Sequence, residues 1–267
     1  MYLNKNLEQL SEENALIYQG NDPFPHIVLD SVFKPEILEK INDSISLLES
    51  KAWNYKKIDE NEIKMASNIE VNWPENIKEF LRYLNSQEFL AFVSKVSGIA
   101  NLIPDPDYIG GGLHQISKGG LLKVHADFNK NPKNNLDRRI NVLIYLNKNW
   151  KPEWNGQLEL WDTSMQKCVQ RILPEFNRMV IFSTTSTSYH GHPAYLKTPE
   201  GVLRRSIALY YYTNGRPESE MHQSHSTLFQ KRPKEEKNFS YYKIRMKKIT
   251  ELLVPPVVFR IIDRIKK

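Results

Sequence analysis

Residues 121–128 read LLKVHADF, an apolar run that ends on a histidine and an aspartate two apart. In a strand, residues i and i+2 project from the same face, so His125 and Asp127 would point together and Ala126 away. An imidazole and a carboxylate leave a divalent metal in need of at least one more ligand. The segment SYHGHP, 188–193, offers His190 and His192 directly after the strand-like RMVIF. Two histidines and one carboxylate on one face of an octahedron, with three positions left open, suit a redox-active ferrous ion. An HxD pair alone is weak evidence, and the elements around it must decide.

Those elements divide the chain by texture. FPHIVLD, 24–30, reads as a first strand, and PEILEKINDSISLLES, 35–50, has helical apolar spacing with Pro35 in its first turn. Residues 73–98 read as two helices, opened by Pro74, capped by Ser86 and ended by Gly98. Seven short segments follow, rich in β-branched and aromatic residues: YIGGGLHQIS, GLLKVHADF, RRINVLIYLN, GQLELWD, KCVQRIL, RMVIFST and RRSIALYYYT. Such strands without intervening helices predict a sandwich, barrel or jelly roll, with the helices on one outer face. The expected organisation is a loose N-terminal arm with one short helix (1–23), a mainly helical support region (24–100), a β core (101–215) and a basic C-terminal helical tail (216–267). The GG pairs lack the strand-to-helix setting of a dinucleotide loop and read as turns and bulges.

Charge adds to that division. The net charge of +6 is concentrated at the end, where residues 231–267 hold 12 Lys/Arg against 4 Asp/Glu and leave the first 230 near −2. A near-neutral body gives no reason to expect nucleic acid as a partner. The single cysteine, Cys168, excludes an internal disulfide and a cysteine-rich zinc site. No apolar run is long enough to span a bilayer, and the polar start carries no signal core, so a cytoplasmic protein is expected. The tail KIRMKKITELLVPPVVFRIIDRIKK is broken by Pro255–Pro256 into two expected short helices. Its apolar blocks between basic residues suit peripheral contact with an anionic membrane or a partner, against the plainer reading of a helix folded back on the barrel.

The stretch from about Gly110 to Tyr212 resembles the Fe(II)- and 2-oxoglutarate-dependent oxygenases, in particular their prolyl 4-hydroxylase-like branch. The matching pieces occur in order: GGLLKVHADF, RRINVLIYLNKNW, GQLELW, LPEFNRMVIF, SYHGHP and RRSIALYYYT. The resemblance implies a double-stranded β-helix (jelly-roll, cupin-like) core, with His125, Asp127 and His190 as metal ligands. His190 is preferred because it stands a few residues before Pro193, and His192 is its competitor. It also implies that Arg204 and Ser206, in the R-x-S of LRRSIALYYYT, anchor the far carboxylate of 2-oxoglutarate, with Arg205 as the alternative. Tyr145 matches a tyrosine that helps hold the same carboxylate, against a plain role as a core aromatic. Arg138, Asn141 and Gln115 are further candidates for that mouth, whereas Trp150, Trp154 and Trp161 read as packing residues.

The reaction so implied uses Fe(II), 2-oxoglutarate and dioxygen, with ascorbate as a candidate reductant, and yields succinate and carbon dioxide while hydroxylating an unactivated C–H. In related halogenases a small residue replaces the carboxylate, so Asp127 favours hydroxylation. The expected partner is a peptide or small-molecule substrate: a peptidyl proline, an amino acid, or a glycan or lipid-linked molecule. Residues 44–68 and 127–139 are the expected substrate loops, and their Lys and Asn content tolerates an anionic or glycosidic group. The rival reading is a metal isomerase or a non-catalytic binding protein on the same scaffold.

Overall fold

The computed structural model describes residues 2–233 and Glu235. In chain order it contains α1 (Leu7–Gly20), β1 (His26–Asp30), α2 (Pro35–Ser46), β2 (Tyr55–Ile58), β3 (Glu62–Ser67), α3 (Glu75–Leu84) and α4 (Gln87–Ser97). Then come β4 (Ile103–Pro104), β5 (Gly112–Ile116), β6 (Leu121–Ala126), β7 (Asp137–Tyr145), β8 (Leu158–Trp161), β9 (Cys168–Ile172), β10 (Arg178–Ser183), β11 (His190–His192), β12 (Arg204–Thr213) and β13 (Leu228–Phe229). The strands pair antiparallel in the order β1-β10-β7-β12-β5-β3-β6-β11-β8-β9, and this sheet curls into the half-barrel of a jelly roll.

Strand alternation sets the two faces of that sheet. On β7, Ile140, Val142 and Ile144 are fully buried in one cluster with helix residues, as are Ile207, Leu209 and Tyr211 of β12. Helix α3 supplies Ile77, Phe80, Leu81 and Leu84 to this cluster, an i, i+3, i+4, i+7 stripe. The intervening strand positions (Asn141, Leu143 and Tyr145 on β7; Arg204, Ser206, Ala208 and Tyr210 on β12) therefore line the concave side. The register pairs Ser206 with Tyr145, Ala208 with Leu143 and Tyr210 with Asn141, which sets these inward residues side by side on the concave wall.

The local signals act as their chemistry demands. Ser86 accepts a bond from the Phe89 amide at the start of α4, and Gly98 ends that helix at φ 72°. Residues 1–23 are less loose than the sequence suggests: Asn6 caps a fourteen-residue α1, and Tyr18, fully buried, shares a 2.8 Å hydrogen bond with Ser183. The expected loop at 44–68 holds the β2–β3 hairpin, whose second strand joins the sheet between β5 and β6. Gly112 permits this junction, since at φ +86° an added Cβ would stand 2.2 Å from the Ser67 carbonyl oxygen. Beyond β12, residues up to 233 are mainly extended, with one turn of helix at Glu218–Glu220 and the short β13 on the edge of β6. The expected tail helices, with their membrane or partner contact, lie outside the described residues.

Candidate metal and cosubstrate site

β6 and β11 bring three ligand groups together. Their register sets His190 opposite His125, with ring centroids 4.5 Å apart, and Asp127 follows β6 directly. One ligand atom from each of His125, Asp127 and His190 lies within 4.8 Å of the others, and all three residues are buried. Nε2 of His125 is 3.4 Å from Oδ1 of Asp127, and Nε2 of His190 is 3.4 Å from its Oδ2. The opposite ring nitrogens face backbone carbonyls, His125 Nδ1 at 2.8 Å from Lys123 O and His190 Nδ1 at 2.9 Å from Ser188 O. A carbonyl only accepts, so the proton of each neutral ring belongs on Nδ1 and the Nε2 lone pair turns inward. Burial, opposed by Asp127, lowers the pKa of His190 to about 4 and leaves it neutral at physiological pH.

Arg138 and Asn141 fix the carboxylate. Arg138 Nη2 donates to Asp127 Oδ2 at 2.9 Å, and Asn141 Nδ2 donates to the same oxygen at 2.7 Å. Asn141 Oδ1 in turn accepts from Arg138 Nε at 3.0 Å and Nη2 at 2.8 Å. The guanidinium is clamped between the rings of Tyr210 (3.4 Å to the centroid) and Phe128 (4.4 Å). Burial alone would raise the Asp127 pKa, but Arg138 and the two histidines outweigh it and hold the group well below the usual carboxylate range. Two imidazoles that present Nε2 inward and an ionised, oriented carboxylate form a fitting donor set for a divalent metal such as Fe(II).

Arg204 sits elsewhere on the concave side. It is 4% exposed, donates from Nε to Gly156 O at 2.8 Å and from Nη2 to the Tyr145 hydroxyl at 3.4 Å, and makes no ion pair with any described residue. A buried guanidinium without an anion is costly, and this one fits the far carboxylate of 2-oxoglutarate, with Tyr145 and Ser206 alongside. Arg205 faces the other way, bonding Asn42 and Ser46 of α2. His192 is also buried, but a register shift separates it from His190. It is not among the three clustered ligands, and its Nδ1 has no hydrogen-bond partner among the described residues. Gln115, a candidate for the mouth, instead lies against Met65. Glu62 and Lys64, from the expected substrate segment 44–68, line the cavity beside His125 and Asp127 together with Tyr210 and Phe229, and the last two were not anticipated because only the sheet register brings them there.

This geometry fits a site for a ferrous ion and a dicarboxylic cosubstrate such as 2-oxoglutarate. Residues 111–213 match the family model of the 2OG-Fe(II) oxygenase superfamily. Over 196 residues the chain is 27% identical to mouse (Mus musculus) prolyl 3-hydroxylase OGFOD1, an alignment covering 72% of this chain and 33% of that protein. The chain thus spans about a third of the length of this curated relative. Among solved structures, the prolyl hydroxylase of Trichoplax adhaerens, in complex with a hypoxia inducible factor peptide fragment, superposes with a TM-score of 0.56 at 19% identity, over 77% of this chain and 90% of that one. HygX of Streptomyces hygroscopicus, with nickel, 2-oxoglutarate and hygromycin B bound, gives 0.52 at 13% identity over 81% and 96%. These two likenesses establish a shared fold.

Proposed function

We propose that the chain is a 2-oxoglutarate-dependent dioxygenase that hydroxylates an unactivated C–H bond. The observation that carries this is the buried Arg204, without an ion-pair partner among the described residues, on the same concave face that gathers His125, Asp127 and His190. A metal isomerase or a pure binding module has no use for a second, carboxylate-shaped cation site in the lumen. Fe(II) held by the triad would supply dioxygen activation coupled to decarboxylation of 2-oxoglutarate, giving succinate, carbon dioxide and the hydroxylated product.

The chain's own contribution is placement. His125 and His190 present Nε2, while their Nδ1 protons are committed to Lys123 O and Ser188 O. Arg138 and Asn141 hold Asp127 ionised and in one orientation. Arg204, Tyr145 and Ser206 receive the far carboxylate of the cosubstrate. Retention of the carboxylate at Asp127 favours hydroxylation over halogenation.

The test is anaerobic addition of Fe(II) and 2-oxoglutarate, followed by the visible charge-transfer band of the bidentate complex, with succinate measured in air. His125→Ala, Asp127→Ala and His190→Ala are each expected to abolish the band, while His192→Ala retains it. No band with the native chain and no succinate across a broad substrate panel would overturn the proposal.

A further inference from the structure

A cavity of about 280 Å³ opens beside His125 and Asp127, with Tyr55, Lys57, Glu62, Lys64, Phe128 and Phe229 among its walls. Two parts of the chain, distant in sequence, build it. The β2–β3 hairpin contributes the charged side. The other wall includes Phe229 of β13, which pairs with His125 in register and lies 5.6 Å from its ring. The volume accommodates one residue-sized molecule and lies at the lower edge of small-ligand sites.

The charges inside are unevenly satisfied. Glu62, 5% exposed, accepts from the Tyr55 hydroxyl at 2.7 Å, Lys57 Nζ at 2.8 Å and Lys64 Nζ at 3.3 Å. Burial alone would raise its pKa, but these donors outweigh burial and pull it to about 2, so it is an anion whose capacity is already committed. Lys57 is compensated twice, by Glu62 and by Asp59 at 3.2 Å. Arg138 is matched by Asp127. Lys64 is the exception: its side chain is 15% exposed, and its one ion pair among the described residues is the 3.3 Å contact with Glu62, the longest of the three. An ammonium has three protons to donate, and an already crowded carboxylate leaves most of that capacity for a ligand. Phe128, Tyr210, Phe229 and Leu122 give the cavity an apolar portion beside polar groups such as Asn54 and Asn68, so a ligand with an apolar part and one anionic end complements it.

We propose that the oxygenase's organic substrate is a residue-sized carboxylic acid whose carboxylate pairs with Lys64. This rests on the oxygenase reading of the site. Lys64 is a specificity determinant on that reading, selecting acids over neutral molecules of the same shape.

The experiment uses the full chain loaded with Fe(II) and 2-oxoglutarate and a panel of the N-acetyl derivatives of the common amino acids, each beside its primary amide. Two signals are followed: perturbation of the anaerobic charge-transfer band on adding each compound, and stimulation of succinate formation in air. At least one acid is expected to act at about tenfold to a hundredfold lower concentration than its amide, the worth of a charge-assisted hydrogen bond. Lys64→Met is expected to erase that preference while its dissociation constant for 2-oxoglutarate stays within about twofold, and Lys64→Arg to restore much of it. A retained cosubstrate band shows that the variants are folded. A native band with acids and amides acting equally, or neither acting, overturns the proposal. So does a Lys64→Met variant whose 2-oxoglutarate affinity collapses, because Lys64 would then serve the cosubstrate. Absence of any band in the native chain overturns the oxygenase reading and this proposal with it.

Discussion

Replacing Arg138 by methionine separates two roles that a cation paired with Asp127 could play toward the metal. The side chain is 1% exposed, and its ion pair with Asp127 is 2.9 Å long. Without it, Asp127 keeps the 2.7 Å bond from Asn141 but loses its compensating charge. Breaking one half of a buried pair costs about 3–5 kcal/mol, because the stranded charge remains desolvated. For a domain of this size that is roughly 6–20 °C in Tm, at about 2–4 °C per kcal/mol. This deficit belongs to the chelator-treated protein. A divalent ion at the triad would compensate Asp127 itself, and in the native chain it is repelled by the guanidinium. By linkage, the variant should recover stability on metal addition and bind Mn(II) or Ni(II), used as redox-stable stand-ins, at least about tenfold more tightly, or 1.4 kcal/mol. The assay is thermal unfolding of both proteins in chelator and across a metal titration. A deficit below about 1 kcal/mol in chelator, or an equal or larger deficit with metal, would refute the argument. The second outcome would show that Arg138 acts by orienting the carboxylate rather than by charge.

Three further expectations follow from the same contacts. Arg204→Gln should weaken 2-oxoglutarate binding by about 10- to 150-fold, the loss of a charged hydrogen bond, whereas Arg205→Gln, whose partners are on α2, should leave it unchanged; titration of the charge-transfer band checks both. Gly112→Ala should cost about 2–4 kcal/mol in urea unfolding, because a positive φ and a backbone clash with Ser67 coincide there; a neutral result would mean that the β3–β5 junction gives way. The folded pKa of Glu62 lies below its unfolded value of about 4.3, so its ionised form stabilises the fold at pH 5 and that contribution fades as pH falls toward 2. The stability difference between the native chain and Glu62→Gln should therefore shrink over that window, as measured by urea midpoints from pH 5 downward.

The parts of the fold that could be read in advance are those where burial and periodicity agree. RRINVLIYLN and RRSIALYYYT alternate because one face packs on helices and the other lines the lumen, and both became long central strands. The β2–β3 hairpin was missed for the opposite reason: alternation runs only over Glu62–Met65 in β3, and β2 carries adjacent Lys56 and Lys57 with no alternation at all. Helix α1 looked like part of a loose arm because its core contacts are few and widely spaced, Leu7, Leu10 and Tyr18 among them. At the site, HxD is a local pattern, but the different surroundings of His190 and His192 depend on a register shift that no local pattern encodes. Arg204 and Arg205 separate cleanly once strand parity is fixed. β13, two residues long, leaves no periodic trace at all.

That short strand has a consequence for how the molecule meets other chains. The edge of β6 is shared, with β3 covering Leu121 and Leu122, and β13 covering His125 and Ala126. Removal of residues 227–229 would strip main-chain partners from the half of the edge that carries the metal-binding histidine. An extended peptide could then add itself there as a strand, by backbone pairing with little regard to side chains. A few residues of the chain's own backbone thus stand between the pocket and an adhesive groove.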